Sequence, residues 1–421
     1  MYQKVKGTQD LFGIEAKKLH FLETKIRTVI SKYGYEEMIT PIFENTDVFV
    51  RSSGEESDIV SKEMYTFLDK GNRSITLRPE GTAAVVRSYL ENKLYASGNL
   101  KKFYYFGPMF RYERPQAGRF RQFNQFGIEA FGTSSPLLDA DVIISASEIF
   151  KALGIENIKL KINSIGDFAS RNNYEKLLKG YFGKNIDHLC LDCQRRLENN
   201  PLRILDCKVD KDNPIIQKAP KIESSLSKES KDYFKEVLKI LDDFKLKYEI
   251  DQNLVRGLDY YTDTVFEYIL ESKDELGGLA ICAGGKYSDL VRSFQGPDIP
   301  GIGYAFGVER ILMIMDQQNL FPKLEDKADV VLIGLDPESK KKTLLLAIML
   351  RRAGYLSELD YLSQNLKPQF RLADQMQAKF IIIIGEEERK NKVLTVKNNS
   401  TKEQETVSED RILEYLKEKI K

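Results

Sequence analysis

The side chains best suited to chemistry in this chain are arginines set among aromatics and glycines. They fall in two distant stretches, Phe110-Arg111-Tyr112-Glu113-Arg114-Pro115 and Leu254-Val255-Arg256-Gly257-Leu258-Asp259-Tyr260-Tyr261. Ordering a charged group in a fold without a partner is costly, so this setting points to a site that receives anionic phosphate. A planar guanidinium such as Arg111 can hold a phosphate bidentately, Phe123 can stack an adenine, and Glu113 can hydrogen-bond the edge of that base. Together they would form an ATP cradle; the same residue types equally make a solvated strand face with ordinary Arg–Glu pairs. His20 and His188 are the only imidazoles. A Ser-His-Asp or Cys-His nucleophile is therefore hard to assemble, and chemistry must lean on Arg, Glu, Tyr and Gln.

Strands must hold these groups. From 103 to 131 aromatic and β-branched residues are dense and Pro115-Gln116-Ala117-Gly118 breaks the run, which predicts two antiparallel strands joined by a loop. Period-two alternation puts Arg111 and Glu113 on one face of the first strand, and Arg121, Phe123, Gln125 and Glu129 on one face of the second. Upstream, 16–33 carries Leu19, Leu22, Ile26, Val29 and Ile30 at helical spacing and stops at Gly34, predicting a helix. The stretch 35–43 reads as a strand interrupted by Pro41, which places it at an edge suited to a subunit contact. Gly284-Gly285 and Gly301-x-Gly303 allow close backbone approach to a ligand, although glycine pairs alone are as readily turns. Beside them Arg310 starts an apolar helical run, 311–315, whose N-terminus favours anions.

At 421 residues the chain exceeds one ordinary domain, so a catalytic body plus a smaller module is expected. With 64 Lys+Arg against 63 Asp+Glu, any nucleic-acid contact must rest on local basic surface. Four cysteines are too few for a disulfide scaffold, no signal-type leader opens the sequence, and apolar runs such as 344–350 and 380–384 are too short to span a bilayer. A cytoplasmic protein with no membrane partner is expected. Around 170–247 the sequence turns lysine-rich and helical and looks inserted. There Cys190, Cys193, Cys207 and His188 would supply four zinc ligands, but the Cys-His spacing does not follow the paired pattern of zinc sites. Reduced thiols are expected and no metal is assigned. Apolar periodicity lapses over 317–327 around Pro322, marking a linker. The tail then alternates as α/β modules do, with strands at 330–335, 356–359, 380–385 and 392–397, helices at 340–352 and 368–379, and a closing helix from Ser408.

Phe110-Arg111-x-Glu113 followed by Arg119-Phe120-Arg121-Gln122-Phe123 resembles motif 2 of class II aminoacyl-tRNA synthetases. Gly301-x-Gly303-Tyr304-Ala305-Phe306-Gly307-x-Glu309-Arg310 resembles motif 3, and the helix over 16–33 with Pro41-Ile42-Phe43-Glu44 resembles motif 1, the dimer-forming element of that class. The stretch 254–261 and Ala283-Gly284-Gly285-Lys286-Tyr287 resemble the two signature boxes of histidyl-tRNA synthetases, and Leu77-Arg78-Pro79-Glu80-Gly81-Thr82 resembles that family's substrate loop. Lys286 stands where the family usually has arginine and Ser288 where it usually has Asp or Asn, so no charge role is assigned to position 286. The likeness implies an α+β fold. A class II antiparallel-sheet catalytic core flanked by helices would occupy 1–325, with a helical insertion at about 170–247, and a C-terminal α/β anticodon-binding domain would occupy 329–421.

The resemblance also implies the chemistry. A homodimer would adenylate L-histidine with ATP, releasing pyrophosphate, and move it to the terminal ribose of tRNA(His). Arg111 and Arg310 would bind the ATP phosphates, Arg121 would be a further ATP contact, Phe123 the adenine platform and Glu113 an adenine contact. Arg256 would sit at the α-phosphate beside the attacking carboxylate, in a place other class II enzymes give to a metal ion, so Arg256 and Arg111 are the expected catalytic residues. Fixed cations stabilise the charge that spreads over the phosphorus oxygens, and the carboxylate, already ionised, needs no general base. Glu129 and Tyr261 would take the imidazole, Glu80, Thr82 and Gln125 the α-ammonium, and Tyr260 and Tyr287 would line the pocket. Gln116 and Arg119 would touch the acceptor end of tRNA, and Mg²⁺ would accompany the β- and γ-phosphates without Glu309. In the tail, Lys367, Arg371, Lys379, Arg389 and Lys390 offer phosphate contacts, with a solvated charged surface an equal reading. Two rivals share parts of this pattern. One is a non-catalytic regulatory paralogue, whose relatives lack the C-terminal domain and commonly lose the Arg256 box. The other is a synthetase for proline, threonine or glycine, which would share the class motifs without the Arg256 and Tyr287 boxes.

Overall fold

Apolar side chains recurring every three or four positions fold the first helix, Ile14–Ser31, whose Leu22, Ile26 and Ile30 are buried, and the chain leaves it through left-handed Gly34 at φ 73°. The computed structural model describes residues 2–54, 57–115, 118–207, 209–255, 260–272, 276–324, 327–362 and 365–420. Arg256 and Gln116, both given roles above, lie outside these residues. The chain divides into two compact units, Met1–Pro322 and Lys323–Lys421.

In the first unit the strands run β1 (Glu36–Glu37), β2 (Phe43–Asn45), β3 (Tyr65–Leu68), β4 (Ser74–Leu77), β5 (Lys101–Phe110) and β6 (Gln122–Phe131). They continue as β7 (Ile158–Ser164), β8 (Tyr248–Ile250), β9 (Thr262–Leu270), β10 (Ala280–Tyr287) and β11 (Gly301–Gly307). Eight of them form one sheet in the order β1-β5-β6-β11-β10-β9-β7-β8. Its inner strands are antiparallel, and only the edge pairs β1–β5 and β7–β8 run parallel. A separate three-stranded antiparallel sheet has the order β2-β4-β3.

Alternation gives the large sheet two different faces. Phe126 and Ile128 of β6, Phe266 and Tyr268 of β9, and Ile302, Tyr304 and Phe306 of β11 are buried in one core with the helices Ile14–Ser31, Pro136–Ala152, Lys228–Asp243 and Val308–Gln317. Tyr105, Phe131, Val265 and Tyr287 belong to the other core, which takes in the helix Thr82–Glu91 and the insertion helices Phe168–Phe182 and Leu191–Asn199. Each fully buried large apolar side chain is worth roughly 1.5–3 kcal/mol, and a one-residue slip would exchange the two faces, so the register is strongly fixed.

The α+β architecture expected from the sequence is the one observed, with local differences. The single strand expected over 35–43 is two short strands in different sheets, with Pro41 between them, where its missing N–H breaks no ladder. Arg111 and Glu113 lie past the end of β5, and Arg121 before the start of β6, so strand alternation does not govern them. The ladder stops because the Tyr112 N–H turns away to the Glu63 carbonyl at 2.7 Å and the Arg121 N–H to the Gly7 carbonyl at 2.8 Å.

The second unit has β12 (Val330–Gly334), β13 (Ser357–Leu359), β14 (Phe380–Ile384), β15 (Val393–Asn398) and β16 (Gln404–Ser408) in the order β13-β12-β14-β15-β16. The first three are parallel, and β15 and β16 add on antiparallel. β12 and β14 are continuous apolar runs because both faces are covered: Leu332 and Ile382 pack with Leu346 and Leu350, whereas Val331 and Ile381 pack with Ala373. Two elements here have no signal in the apolar pattern. The helix Glu386–Asn391 is polar all round and buries no residue, and in β16 only Val407 is buried. No helix of the described residues is long and apolar enough to cross a membrane.

Candidate active site

β11 supplies the floor of the site. Its alternate residues Gly301, Gly303, Ala305 and Gly307 carry almost no side chain, and they pair with Phe131, Glu129, Gly127 and Gln125 of β6 on one side and, as far as Ala305, with Tyr287, Gly285 and Ala283 of β10 on the other. Above this floor lies a cleft of about 1170 Å³, open to solvent. Glycine is required at position 303, where a Cβ would stand 2.2 Å from both Glu129 Oε2 and the Ile128 carbonyl oxygen.

A buried polar cluster forms part of the lining. Glu129, 1% exposed, accepts a hydrogen bond from Thr82 Oγ1 at 2.6 Å and another from the Tyr287 hydroxyl. Burial raises its carboxyl to about 8, against the opposing pull of those two hydroxyls, so in the protein alone it holds a proton near neutral pH. Glu80 caps the helix Thr82–Glu91, accepting the N–H groups of Thr82 at 2.7 Å and Ala83 at 2.9 Å. Burial pushes the Glu80 carboxyl up as well, although these N–H groups pull against it. Tyr260 lies 4.6 Å from Tyr261 and 5.7 Å from Tyr287 between ring centroids, and burial pushes the hydroxyls of Tyr260 and Tyr287 up. These aromatic walls are apolar in body and polar at the tip, the combination that orients a small polar ligand.

Arg111, Arg119 and Arg310 give the lining its cationic part, with Glu113 paired to Arg119 at 3.2 Å. Arg111 Nε donates to the Pro79 carbonyl at 2.8 Å and its guanidinium lies 5.4 Å from the Phe123 ring centroid. Arg310 Nη1 donates to the Ala280 carbonyl at 2.8 Å. Burial first, and then the neighbouring Arg119 cation, lowers the Arg310 pKa. Three guanidiniums gathered in one part of the lining, with Glu113 the carboxylate paired among them, suit a bound anion. Arg310 stands in the first turn of Val308–Gln317, and that turn is anchored by Glu309, which accepts the Asn124 main-chain N–H at 2.8 and 3.0 Å and its side-chain amide at 3.1 Å.

Every predicted site residue among those described lines this cleft except Arg121. The stem of Arg121 abuts Gly7, and its guanidinium lies 4.1 Å over the Tyr112 ring with Nε 3.4 Å from the Glu113 carbonyl. Lys286 is buried 3.6 Å from Asp263 and 3.9 Å from the Tyr233 ring centroid, and it is not among the cleft residues. Arg78, in the substrate-loop match, is structural: its buried guanidinium donates to the carbonyls of Thr40 at 2.9 Å and Pro108 at 2.8 Å. Tyr105 and Glu267 also line the cleft and were not anticipated. The alternation read over 103–131 reaches Tyr105, which has the parity of Arg111, whereas Glu267 lies on β9, where no strand was expected. In the second unit, Lys379 pairs with Asp329 at 2.9 Å, Arg389 with Asp336 at 3.1 Å and Lys390 with Glu386 at 2.7 Å, whereas Lys367 and Arg371 are exposed.

Comparison with known proteins bears on the whole chain. Residues 7–311 match the family model for histidyl-tRNA synthetase, and residues 329–419 match that for an anticodon binding domain. A histidine–tRNA ligase of Staphylococcus aureus strain JH9 is 45% identical over 414 residues, which span 98% of this chain and 99% of that protein. Among solved structures, the apo histidyl-tRNA synthetase of S. aureus matches with a TM-score of 0.85 at 40% identity, covering 99% of this chain and 100% of that one. The histidyl-tRNA synthetase of Nostoc sp. PCC 7120 matches in fold, with a TM-score of 0.69 at 22% identity over 100% of both chains.

Proposed function

The chain belongs to the histidyl-tRNA synthetase family, and from that premise we propose that it is a histidine–tRNA ligase, activating L-histidine with ATP and charging tRNA(His) with the product. The observation that carries this reading is one cleft that combines a buried carboxylate–hydroxyl cluster with three guanidiniums over a glycine floor. Such a site offers acceptors for an imidazole and an ammonium, and cations for a triphosphate.

In this reading Glu129 and Tyr261 take the imidazole nitrogens. A ligand without those ring N–H groups would leave buried polar atoms unpaired, which is how a site of this kind rejects other amino acids. Glu80, Thr82 and Gln125 take the α-ammonium, and Tyr260 and Tyr287 close the pocket. Phe123 and Glu113 hold the adenine, while Arg111 and Arg310 hold the phosphates. Arg256, on the family pattern, is the third cation, at the α-phosphate. The histidine carboxylate then attacks the α-phosphorus, a new O–P bond forms, and the bond to pyrophosphate breaks with its electron pair leaving on the pyrophosphate oxygen. Positioned guanidiniums stabilise the charge gathered on the equatorial oxygens, with no proton to transfer. A ribose hydroxyl at the tRNA end next attacks the carbonyl of the adenylate, an ester C–O bond forms as the acyl C–O bond to phosphate breaks and AMP leaves, and the hydroxyl proton passes to the departing phosphate or solvent, with Gln116 and Arg119 proposed to contact that end of the tRNA.

The family takes ATP as substrate, and Mg²⁺ is proposed to enter with it, supplying charge neutralisation at the β- and γ-phosphates. Glu113 is engaged with Arg119 and Glu309 with the Asn124 amides, so phosphate oxygens and water, with Glu267 the further carboxyl on this part of the lining, would furnish the ion's ligands. A homodimer is supported by the exposed apolar side chains Ile39, Ile42 and Phe43 beside the edge strand β1. The cytoplasm is the proposed location, in keeping with four free thiols. ATP–pyrophosphate exchange measured with each amino acid tests the reading. Exchange is expected with histidine alone; exchange driven by proline but not histidine would reject it.

A further inference from the structure

The insertion holds a second cluster of ligating atoms, away from the cleft. We propose that Cys190, Cys193, Cys207 and Asp210 bind one zinc ion in a closed, structural site. Their ligand atoms all lie within 4.8 Å of one another. Cys190 Sγ is 3.7 Å from Cys207 Sγ, which is itself 3.7 Å from Asp210 Oδ2. Zn–S bonds of about 2.3 Å and a Zn–O bond of about 2.1 Å at the tetrahedral angle would put two sulfurs about 3.8 Å apart, and a sulfur and an oxygen about 3.6 Å apart. The two observed edges therefore fit a tetrahedron around a single ion. A sulfur pair at 3.7 Å is well beyond a disulfide bond of about 2.05 Å, and all four cysteines are free.

The local structure explains why these atoms converge. Cys190 is the N-cap of the helix Leu191–Asn199 and Cys193 lies in its first turn, while Cys207 and Asp210 follow the turn Pro201–Ile204. The two segments are laced together, because the Cys190 N–H donates to Asp210 Oδ2 at 2.9 Å and the Asp210 N–H donates to Cys207 Sγ at 3.4 Å. The spacing is Cys-x2-Cys-x13-Cys-x2-Asp, the paired arrangement of zinc sites with a carboxylate as fourth ligand. Taking His188 as that ligand hides the pairing. His188 is exposed in the turn Ile186–His188, and its ring is not part of the cluster. Cys193 and Cys207 are buried, and Leu189, Leu202, Ile204 and Leu205 share their core, so much of the site is shielded from water.

Three thiolates and a carboxylate suit zinc, whereas Mg²⁺ and Ca²⁺ take oxygen ligands. Four protein ligands leave no open position, so the ion would fasten the insertion and take no part in the reaction. On binding, the three thiols would release their protons to solvent.

Metal analysis of the full chain, purified without chelator, tests this. The parent is expected to carry about one zinc per chain, and Cys193→Ser less than about a tenth of that. Should Cys193→Ser fail to fold, cobalt(II) alone is titrated into the metal-free parent. Thiolate-to-cobalt charge-transfer absorption and tetrahedral visible bands are then expected, with affinity weakened in Asp210→Asn. Histidine-dependent pyrophosphate exchange is expected to survive in Asp210→Asn, while proteolysis within 184–226 speeds up. A metal-free parent whose three thiols react freely, a cobalt titration without charge-transfer absorption, or a Cys190–Cys207 disulfide in the purified protein would overturn the proposal.

Discussion

Glu129 is the residue on which proton and ligand compete most directly. Its carboxyl has an ordinary value of 4.5 and stands at about 8 in the fold, with burial the main cause. Below pH 4.5 it is protonated in both folded and unfolded chains and has no effect. Between the two values the unfolded chain has lost the proton that the folded chain keeps, so stability falls as pH rises, by about 1.4 kcal/mol per unit, and levels off above the folded value. Glu129→Gln removes that slope. Thermal midpoints of the ligand-free proteins, compared from pH 5 to 9, are predicted to move in favour of the variant until about pH 8; a constant difference would mean the carboxyl is ionised throughout. Among the cations, Arg111→Ala and Arg310→Ala are each expected to slow single-turnover adenylation by roughly 10²–10³. Arg256→Ala, argued from the family pattern, is expected to do the same with the fold intact, and an unchanged single-turnover rate would remove Arg256 from the reaction. Much of this residue set is legible through the ordered family motifs, since arginine among aromatics alone fits a solvated strand face equally well. Asp210 is not, since an aspartate in a polar turn resembles many residues that only complete a fold.

Among elements, β11 matters most, because its small residues let β6 and β10 present side chains across it. Gly303→Ala drives a methyl into the Ile128 carbonyl and the Glu129 carboxylate, neither of which can retreat within a paired sheet. Overpacking of this kind costs about 1–3 kcal/mol, and here it also displaces the proposed imidazole partner. A lower thermal midpoint together with a raised KM for histidine is predicted; an unchanged KM would place the imidazole elsewhere. Where apolar periodicity placed an element, as at 16–33, 340–352 and 380–385, the observed one agrees to within a few residues, whereas Pro136–Ala152 and β9 were not placed at all. Three misses share a cause: the end of β5, the helix Glu386–Asn391 and the strand β16 are set by hydrogen bonds and capping. In one case the Gly385 N–H reaches the Glu388 carboxylate at 2.9 Å. Apolar spacing carries no trace of such bonds.

For the molecule as a whole, the fold class follows from three ordered motifs and an alternating tail, and each of the two units has its own apolar core. What packs against β1 and the exposed Ile39, Ile42 and Phe43 is a question of assembly. If the proposed homodimer uses this surface, the parent sediments at equilibrium as a dimer and Ile39→Asp with Phe43→Asp as a monomer, because a charge buried in an apolar contact is costly. A double variant that still sediments as the parent does would place the subunit contact on another surface.

The central claim, that one cleft aligns histidine with a triphosphate held by arginines distant in sequence, is tested most directly by a structure of the protein crystallised with histidine and ATP. The imidazole is expected between Glu129 and Tyr261, and the phosphates against Arg111, Arg310 and Arg256. An imidazole bound away from Glu129, or a triphosphate turned to solvent beyond the reach of those guanidiniums, would contradict it.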